Sequence, residues 1–268
     1  MNQLPSYSTE QDRLRTLENR QRLFENPNLL YWYSELYHTL FHPISNFDQL
    51  TVWEIGSGTS PANLYYPHIF TTDILNLNYL DKVFDCLNIA TDTTIPDHSI
   101  DIMTLTNVLH HLQDPIQFLQ GASYKLKKGA YLYITEPYFS VISYPIYKLL
   151  HPEPSLFKID RPVLSDVVGP LSSANQAIPY LIFFKRRDWL AELEPYYDLS
   201  QSRMGFFTSL AYMASGGIAK KFVINHFFYK VGFKLDQFLA KQFPKIFAAF
   251  FWIRLQTRND VELPRRFS

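Results

Sequence analysis

The sequence predicts an open α/β sheet, mostly parallel, with helices on both faces. Three observations predict it. Short apolar strand-like segments alternate with helical ones between residues 50 and 135. The first of these strands ends in a glycine turn, Gly56-Ser57-Gly58. The spacing of the remaining segments suits right-handed crossover units on a parallel sheet.

Each element follows from local chemistry. Over residues 11–41, Leu14, Leu17, Leu23, Leu29, Leu30 and Tyr33 recur at helical spacing, and Asn26-Pro27 splits the stretch into two helices. His42-Pro43 marks an exit loop. Leu50 to Ile55 reads as a first strand, Ile69 to Asp73 as a second, Asp81 to Cys86 as a short third and Asp101 to Thr106 as a fourth. Residues 114–128 form a helix with Asp114 as N-cap, Pro115 at the first helical position and Lys127-Lys128-Gly129 as its end. Ala130 to Thr135 is a fifth strand. Six prolines between Pro145 and Pro179 then break the rhythm, so residues 138–186 read as an irregular insertion and a lid over an acceptor site. Residues 187–192 are helical, residues 193–200 return as a strand, and Phe250 to Gln256 is the last strand. Between them Ile224, Phe227, Phe228, Val231, Leu235, Phe238 and Leu239 make an amphipathic stripe, which either packs internally or meets a partner or membrane surface.

Composition narrows the function. Lys plus Arg and Asp plus Glu both number 25, so the net charge is zero, and no nucleic-acid partner is expected. The single cysteine, Cys86, excludes an intrachain disulfide and suits a reducing, cytoplasmic setting. The opening residues lack a signal-peptide profile, and the longest apolar run, Ile246 to Ile253, is too short to span a bilayer as a helix. A peripheral membrane contact through residues 205–253, where lysines including Lys220, Lys221, Lys230, Lys234 and Lys241 interrupt aromatic side chains, is a second expectation. Oligomeric state is left open.

The segment from Thr51 to Ser60 carries the strongest chemical signal. Gly56 and Gly58 admit positive φ and a close ligand. A dinucleotide site would want a third glycine five residues after the first, where this chain has Pro61. Glu54 at the strand end suits a cationic ligand instead, which favours S-adenosylmethionine, with its sulfonium and ammonium, over NAD. Asp73, with Ile74 beside it, closes the second strand where a carboxylate accepts from ribose hydroxyls. Asp85 and Cys86 lie where the adenine ring would sit, and Asn107 to His111, beginning with Asn107 and Val108, form the pocket floor.

Together these pieces resemble a class I S-adenosylmethionine-dependent methyltransferase of the small-molecule kind. Glu54-Ile-Gly-Ser-Gly58 resembles that family's first motif, with Ser60 where a third glycine is common. Asp73 and Asp85 match its two acids. The stretch from Ile95 to Pro115 resembles the family's run through the fourth strand to a Leu-His-His, and Glu136-Pro137 matches the end of the fifth. Gly169 to Tyr180 and Ser215-Gly216-Gly217 resemble segments of an uncharacterised subgroup. The resemblance implies a Rossmann-like, mostly parallel seven-stranded sheet. It also implies a division into an N-terminal helical cap (1–45), a donor-binding core (46–137), the insertion (138–186) and a C-terminal part with apolar helical elaboration (187–268). A small-molecule acceptor and in-line methyl transfer follow from it, with a non-catalytic binding module on the same fold as the alternative.

For proton transfer from an acceptor, His111, His110 and Glu136 lie at the right strand ends. Tyr138, His151, Glu153, Asn175, Gln176, Lys185 and Arg186 are the polar and aromatic groups expected at the acceptor. No metal site is expected, because His110-His111 lacks a third ligand at recognisable spacing and Cys86 stands alone.

Overall fold

The computed structural model describes residues 6–59, 61–217 and 224–259. In chain order the elements are α1 (Ser6–Phe24), α2 (Pro27–Phe41), β1 (Val52–Ile55), β2 (Phe70–Asp73), β3 (Lys82–Val83), β4 (Ile100–Thr106), α3 (Pro115–Lys125), β5 (Leu126–Pro137) and α4 (Ser143–Leu150). After the insertion come α5 (Ala177–Tyr180), a π-helical turn (Leu181–Lys185), α6 (Arg187–Ala191), β6 (Arg203–Phe207), α7 (Ala211–Ala214), α8 (His226–Gln242), α9 (Pro244–Phe247) and β7 (Phe250–Gln256).

The seven strands form one sheet in the order β3-β2-β1-β4-β5-β7-β6. Strands β1 to β5 pair in parallel, whereas β7 runs antiparallel to both β5 and β6. The order reverses between β1 and β4, which opens a crevice above their carboxyl ends. Along β1 the period of two puts Val52 and Glu54 on one face and Trp53 and Ile55 on the other. On the first face Val52, Ile102 and Tyr133 pack against Trp32, Leu36, Leu40 and Phe41 of α2 and Tyr229 and Phe233 of α8. On the second, Ile55, Met103, Leu105 and Leu132 pack against Phe118, Leu119 and Ala122 of α3.

Local signals explain the helix starts. Asn26 caps α2 by accepting from the N–H groups of Asn28 and Leu29, and Pro27 follows at the first position. Asp114 caps α3 through the Gln117 N–H, as its sequence position predicts.

Two expectations need correction. Helix α3 ends at Lys125, before Lys127-Lys128-Gly129, because Leu126 already pairs with Ile100 and β5 begins there. The Lys125 ammonium is drawn inward to the carbonyls of Asp92 and Ile95 and to the Asp97 carboxylate. Residues 193–200 are turns touching the sheet through a single bridge, Tyr197 to Thr257, and the strand instead starts at Arg203. The amphipathic stripe of α8, left open between inner and outer surfaces, faces outward: Phe227 and Phe228 are each 69% exposed and Leu235 61%, while Tyr229, Phe233 and Ala240 form the packed side. Between β1 and β2 the crossover is a single 3-10 turn, Ala62–Leu64.

Candidate functional site

A cavity of about 1460 Å³ opens above the carboxyl ends of β1, β2 and β4. Its floor carries Gly56 and Gly58 after β1, Asp73 and Ile74 after β2, Asp85 and Cys86 after β3, and Asn107 and Val108 after β4. The sequence reading placed all eight at the donor site, and the fold brings them to one wall.

The glycine bend is built for close approach. Gly56 has φ of 71°, and a Cβ there would lie 2.4 Å from Val108 Cγ2. A Cβ on Gly58 would come within 3.0 Å of both Asp73 Oδ2 and Thr16 Cγ2. Asp73 accepts from the Gly58 N–H at 3.0 Å and from the Leu75 N–H at 2.9 Å, which fixes its carboxylate at the rim. Burial pushes its pKa up. Asp85 accepts from the Leu87 N–H and the Asn88 side chain. Asn107 holds a left-handed φ of 56°, and its buried Oδ1 has no hydrogen-bond partner among the described residues.

Glu54 and Ser57 depart from expectation. Neither lines the cavity. Glu54 is buried beneath the bend, where it accepts from Tyr37 Oη (3.1 Å), Ser57 Oγ (2.8 Å) and the Ala62 N–H (2.6 Å). Burial pushes its pKa up to about 7, with those three donors pulling the other way. Glu54 therefore braces the bend from beneath. The Ala62 N–H is consumed by this carboxylate. Ser60 lies outside the described residues.

Helix α1 roofs this wall. Arg15, Asn19 and Arg22 line the cavity at i, i+4 and i+7, a polar stripe that sequence reasoning passed over. Asp12 ties the roof to the insertion by accepting from the N–H groups of Leu171 and Ser172 and from Ser172 Oγ. The Gly169–Ser172 segment and Gly216-Gly217 also line the cavity, so both subgroup-like segments border it.

The far lobe holds a histidine–carboxylate cluster. His110 Nδ1 meets Glu136 Oε2 at 2.5 Å, and His110 Nε2 lies 3.3 Å from Glu153 Oε2. His111 Nδ1 donates to the Ser173 carbonyl at 2.8 Å, and its Nε2 lies 3.7 Å from Glu153 Oε1. His151 and Gln176 reach the same carboxylate. Burial disfavours charge on His110, yet Glu136 and Glu153 outweigh it and hold its pKa at about 10. Burial and the adjacent His110 push His111 down to about 4. Burial opposes ionisation of Glu153, but the bond from His110 and the surrounding imidazoles hold its pKa well below the usual carboxylate range.

The remaining acceptor-site expectations divide. His151, Glu153 and Gln176 line the cavity with His110 and His111. Glu136, expected as a proton acceptor, is fully buried and receives the Val108 and Leu109 N–H groups as well as His110, so it positions that loop. Asn175 is spent on Leu156 and the Ala177 N–H. Tyr138 packs among Tyr180, Phe184 and Phe206. Lys185 lies over the Tyr180 ring, and Arg186 pairs with Asp188. These last four do not reach the cavity.

The comparisons with known proteins agree with this geometry. A family model described as a methyltransferase domain matches residues 54–134. A comparison with curated proteins found no match. A methyltransferase of Thermotoga maritima, described as a possible histamine N-methyltransferase, superposes with TM-score 0.53 at 14% identity, covering 90% of this chain and 96% of that one. A Haloferax volcanii chain solved in complex with a methyltransferase activator gives 0.51 at 11% identity, covering 94% and 98%. At such identities the likeness is one of fold. With the matched domain, the strand order and the glycine-bend wall taken together, the chain carries a methyltransferase domain on a Rossmann-like class I methyltransferase fold. It is an enzyme whose methyl donor is S-adenosylmethionine.

The residues present fit the donor. The bend excludes any Cβ at Gly56, the Asp73 carboxylate stands at the rim, and Asn107 Oδ1 is an orphaned acceptor suited to an ammonium.

Proposed function

We propose that the donor lies along the wall from Gly56 to Asn107 and that the acceptor enters the lobe lined by His110, His111, His151, Glu153 and Gln176. S-adenosylmethionine supplies an electrophilic methyl group on a sulfonium. Asp73 receives the ribose hydroxyls, and Asp85 with Cys86 borders the adenine. Asn107 Oδ1 receives the ammonium, and Arg15 or Arg22 of α1 pairs with the carboxylate of the amino-acid end. His110, His111 and Glu153 hold a polar acceptor atom in line with the methyl, where orientation supplies most of the rate. Residues 6–24 and 169–172, joined through Asp12, exclude water from both.

The observation that carries this reading is that Asp73, Asp85 and Asn107 line one cavity with the histidine cluster. Calorimetric titration with S-adenosylhomocysteine tests it. The expected Kd is on the order of 1–100 μM, the usual enzyme range. Asp73→Ala is expected to weaken binding about 10- to 100-fold, the value of hydrogen bonds to a charged group. Unchanged affinity removes Asp73 from the ribose role.

A second reading concerns where the acceptor comes from, and the outward face of α8 favours it. Phe227, Phe228, Val231, Leu235 and Phe238 are exposed there, and Phe243 and Ile246 extend the apolar surface. Lys234, Lys241 and Lys245 are exposed on the same α8–α9 segment. The one acid of α8, Asp236, is occupied with the N–H groups of Ser209, Leu210 and Ala211. An apolar face with a basic border suits an anionic bilayer, where each lysine adds about 1 kcal/mol. No helix among the described residues is long and apolar enough to cross a membrane, so the contact proposed is peripheral. Lys220 and Lys221 lie outside the described residues. Co-sedimentation with phosphatidylglycerol vesicles, and its loss in Phe228→Ser/Leu235→Ser, is the expected result. A wild-type chain that stays in the supernatant overturns it.

A further inference from the structure

We infer that His110, His111 and Glu153 form a binding site for a divalent transition-metal ion, zinc by preference, with one coordination position open to the cavity. Among the described residues this is the one group of histidine, cysteine and acidic side chains whose ligand atoms converge, all lying within 4.8 Å of one another.

A backbone carbonyl only accepts, so the 2.8 Å contact from His111 Nδ1 to Ser173 O requires an N–H on Nδ1. In the neutral ring the lone pair is then on Nε2, which faces the Glu153 carboxylate at 3.7 Å. In His110, Nδ1 is engaged by Glu136 and Nε2 points at Glu153 Oε2 from 3.3 Å, where the ion would displace the proton that the imidazolium carries. Two imidazole nitrogens and the Glu153 carboxylate thus converge within 4.8 Å, and a cation there is held by all three once His110 releases its Nε2 proton.

Anchoring the outer ring nitrogen to a carboxylate or a backbone carbonyl is how proteins fix histidine ligands and raise their basicity. Glu136 is itself held by the Val108 and Leu109 N–H groups, so the second layer is rigid. Metal–nitrogen and metal–oxygen bonds of about 2.0–2.2 Å imply donor separations of roughly 3.3 Å around a tetrahedral ion. The separations from Glu153 of 3.3 and 3.7 Å are close to that. Two imidazoles and one carboxylate suit zinc and its transition-metal neighbours better than magnesium or calcium, which prefer all-oxygen shells. The three donors all line the cavity, which leaves the fourth position for water or an acceptor oxygen. That last role, orienting an acceptor oxygen, rests on the proposed acceptor lobe; the metal site itself does not.

The test uses the full chain after chelator treatment and dialysis. Titration calorimetry with zinc chloride is expected to show one ion per chain, and magnesium chloride none. Cobalt(II) is expected to give the visible absorption of a four-coordinate ion, a readout on the wild-type chain alone. His111→Ala and Glu153→Gln are expected to lose at least about 100-fold in zinc affinity, and Glu136→Gln about 10- to 100-fold. Wild-type chain that binds no zinc, or variants that bind it as tightly as wild type, overturn the site. S-adenosylhomocysteine binding, measured on the same samples, separates the two ideas. Retained nucleotide binding without zinc uptake rejects the metal and spares the donor site, and the converse rejects the donor site alone.

Discussion

Replacing Glu54 by glutamine should remove a pH dependence from the stability of this protein. The carboxyl is fully enclosed beneath the glycine bend, and burial lifts its pKa from 4.5 to about 7. In the unfolded chain it ionises at its ordinary value, so between the two the folded state holds the extra proton. Stability is then fully present below about pH 4.5 and falls as pH rises toward the folded value. A rise of roughly 2.5 units at about 1.4 kcal/mol each amounts to about 3 kcal/mol. Glutamine keeps the shape, an oxygen for the Ala62 N–H and Ser57, and an amide that can donate to Tyr37 Oη. It carries no titrating proton. Urea unfolding of both proteins at intervals from about pH 5 to pH 8 provides the assay, because every other titrating group is common and cancels in the difference. Wild type is expected to lose up to about 3 kcal/mol relative to Glu54→Gln across that range. Parallel curves would refute the reasoning, since they would mean that Glu54 ionises without cost in the folded state.

Two other perturbations probe the walls of the cavity. Gly56→Ala adds a Cβ at 2.4 Å from Val108 Cγ2 and forces a side chain into positive φ, so it should cost about 1–2 kcal/mol for the backbone alone and weaken S-adenosylhomocysteine binding at least about 10-fold. Calorimetry beside thermal unfolding checks both numbers. Asp12→Ala strips the acceptor from the Leu171 and Ser172 N–H groups; a loss of about 1–3 kcal/mol and a faster donor off-rate by stopped-flow are expected, and an unchanged off-rate would show that α1 does not close the cavity.

The wall proposed for the donor was readable in the primary structure because its signals are local. Gly56 and Gly58 mark a bend, Asp73 and Asp85 follow short apolar strands, and Asp114-Pro115 announces α3. Each depends on neighbours a few residues away, where backbone sterics and capping dominate. The order of these pieces was enough to predict the mostly parallel sheet, which the strand order β3-β2-β1-β4-β5-β7-β6 matches.

Other features depend on contacts between distant segments. Glu54 turns under the bend because Tyr37 of α2 and the Ala62 N–H meet it there, and the alternation along β1 does not reveal what covers each face. Glu153 reaches His110 and His111 only because the insertion folds back over the loop after β4. The packed side of α8 is Tyr229 and Phe233 instead of the longer apolar stripe, since α2 and β6 offer a surface to that side alone. Hydrophobic periodicity specifies that a helix has a face; which face is buried depends on the partner that reaches it, and that partner is a property of the assembled chain.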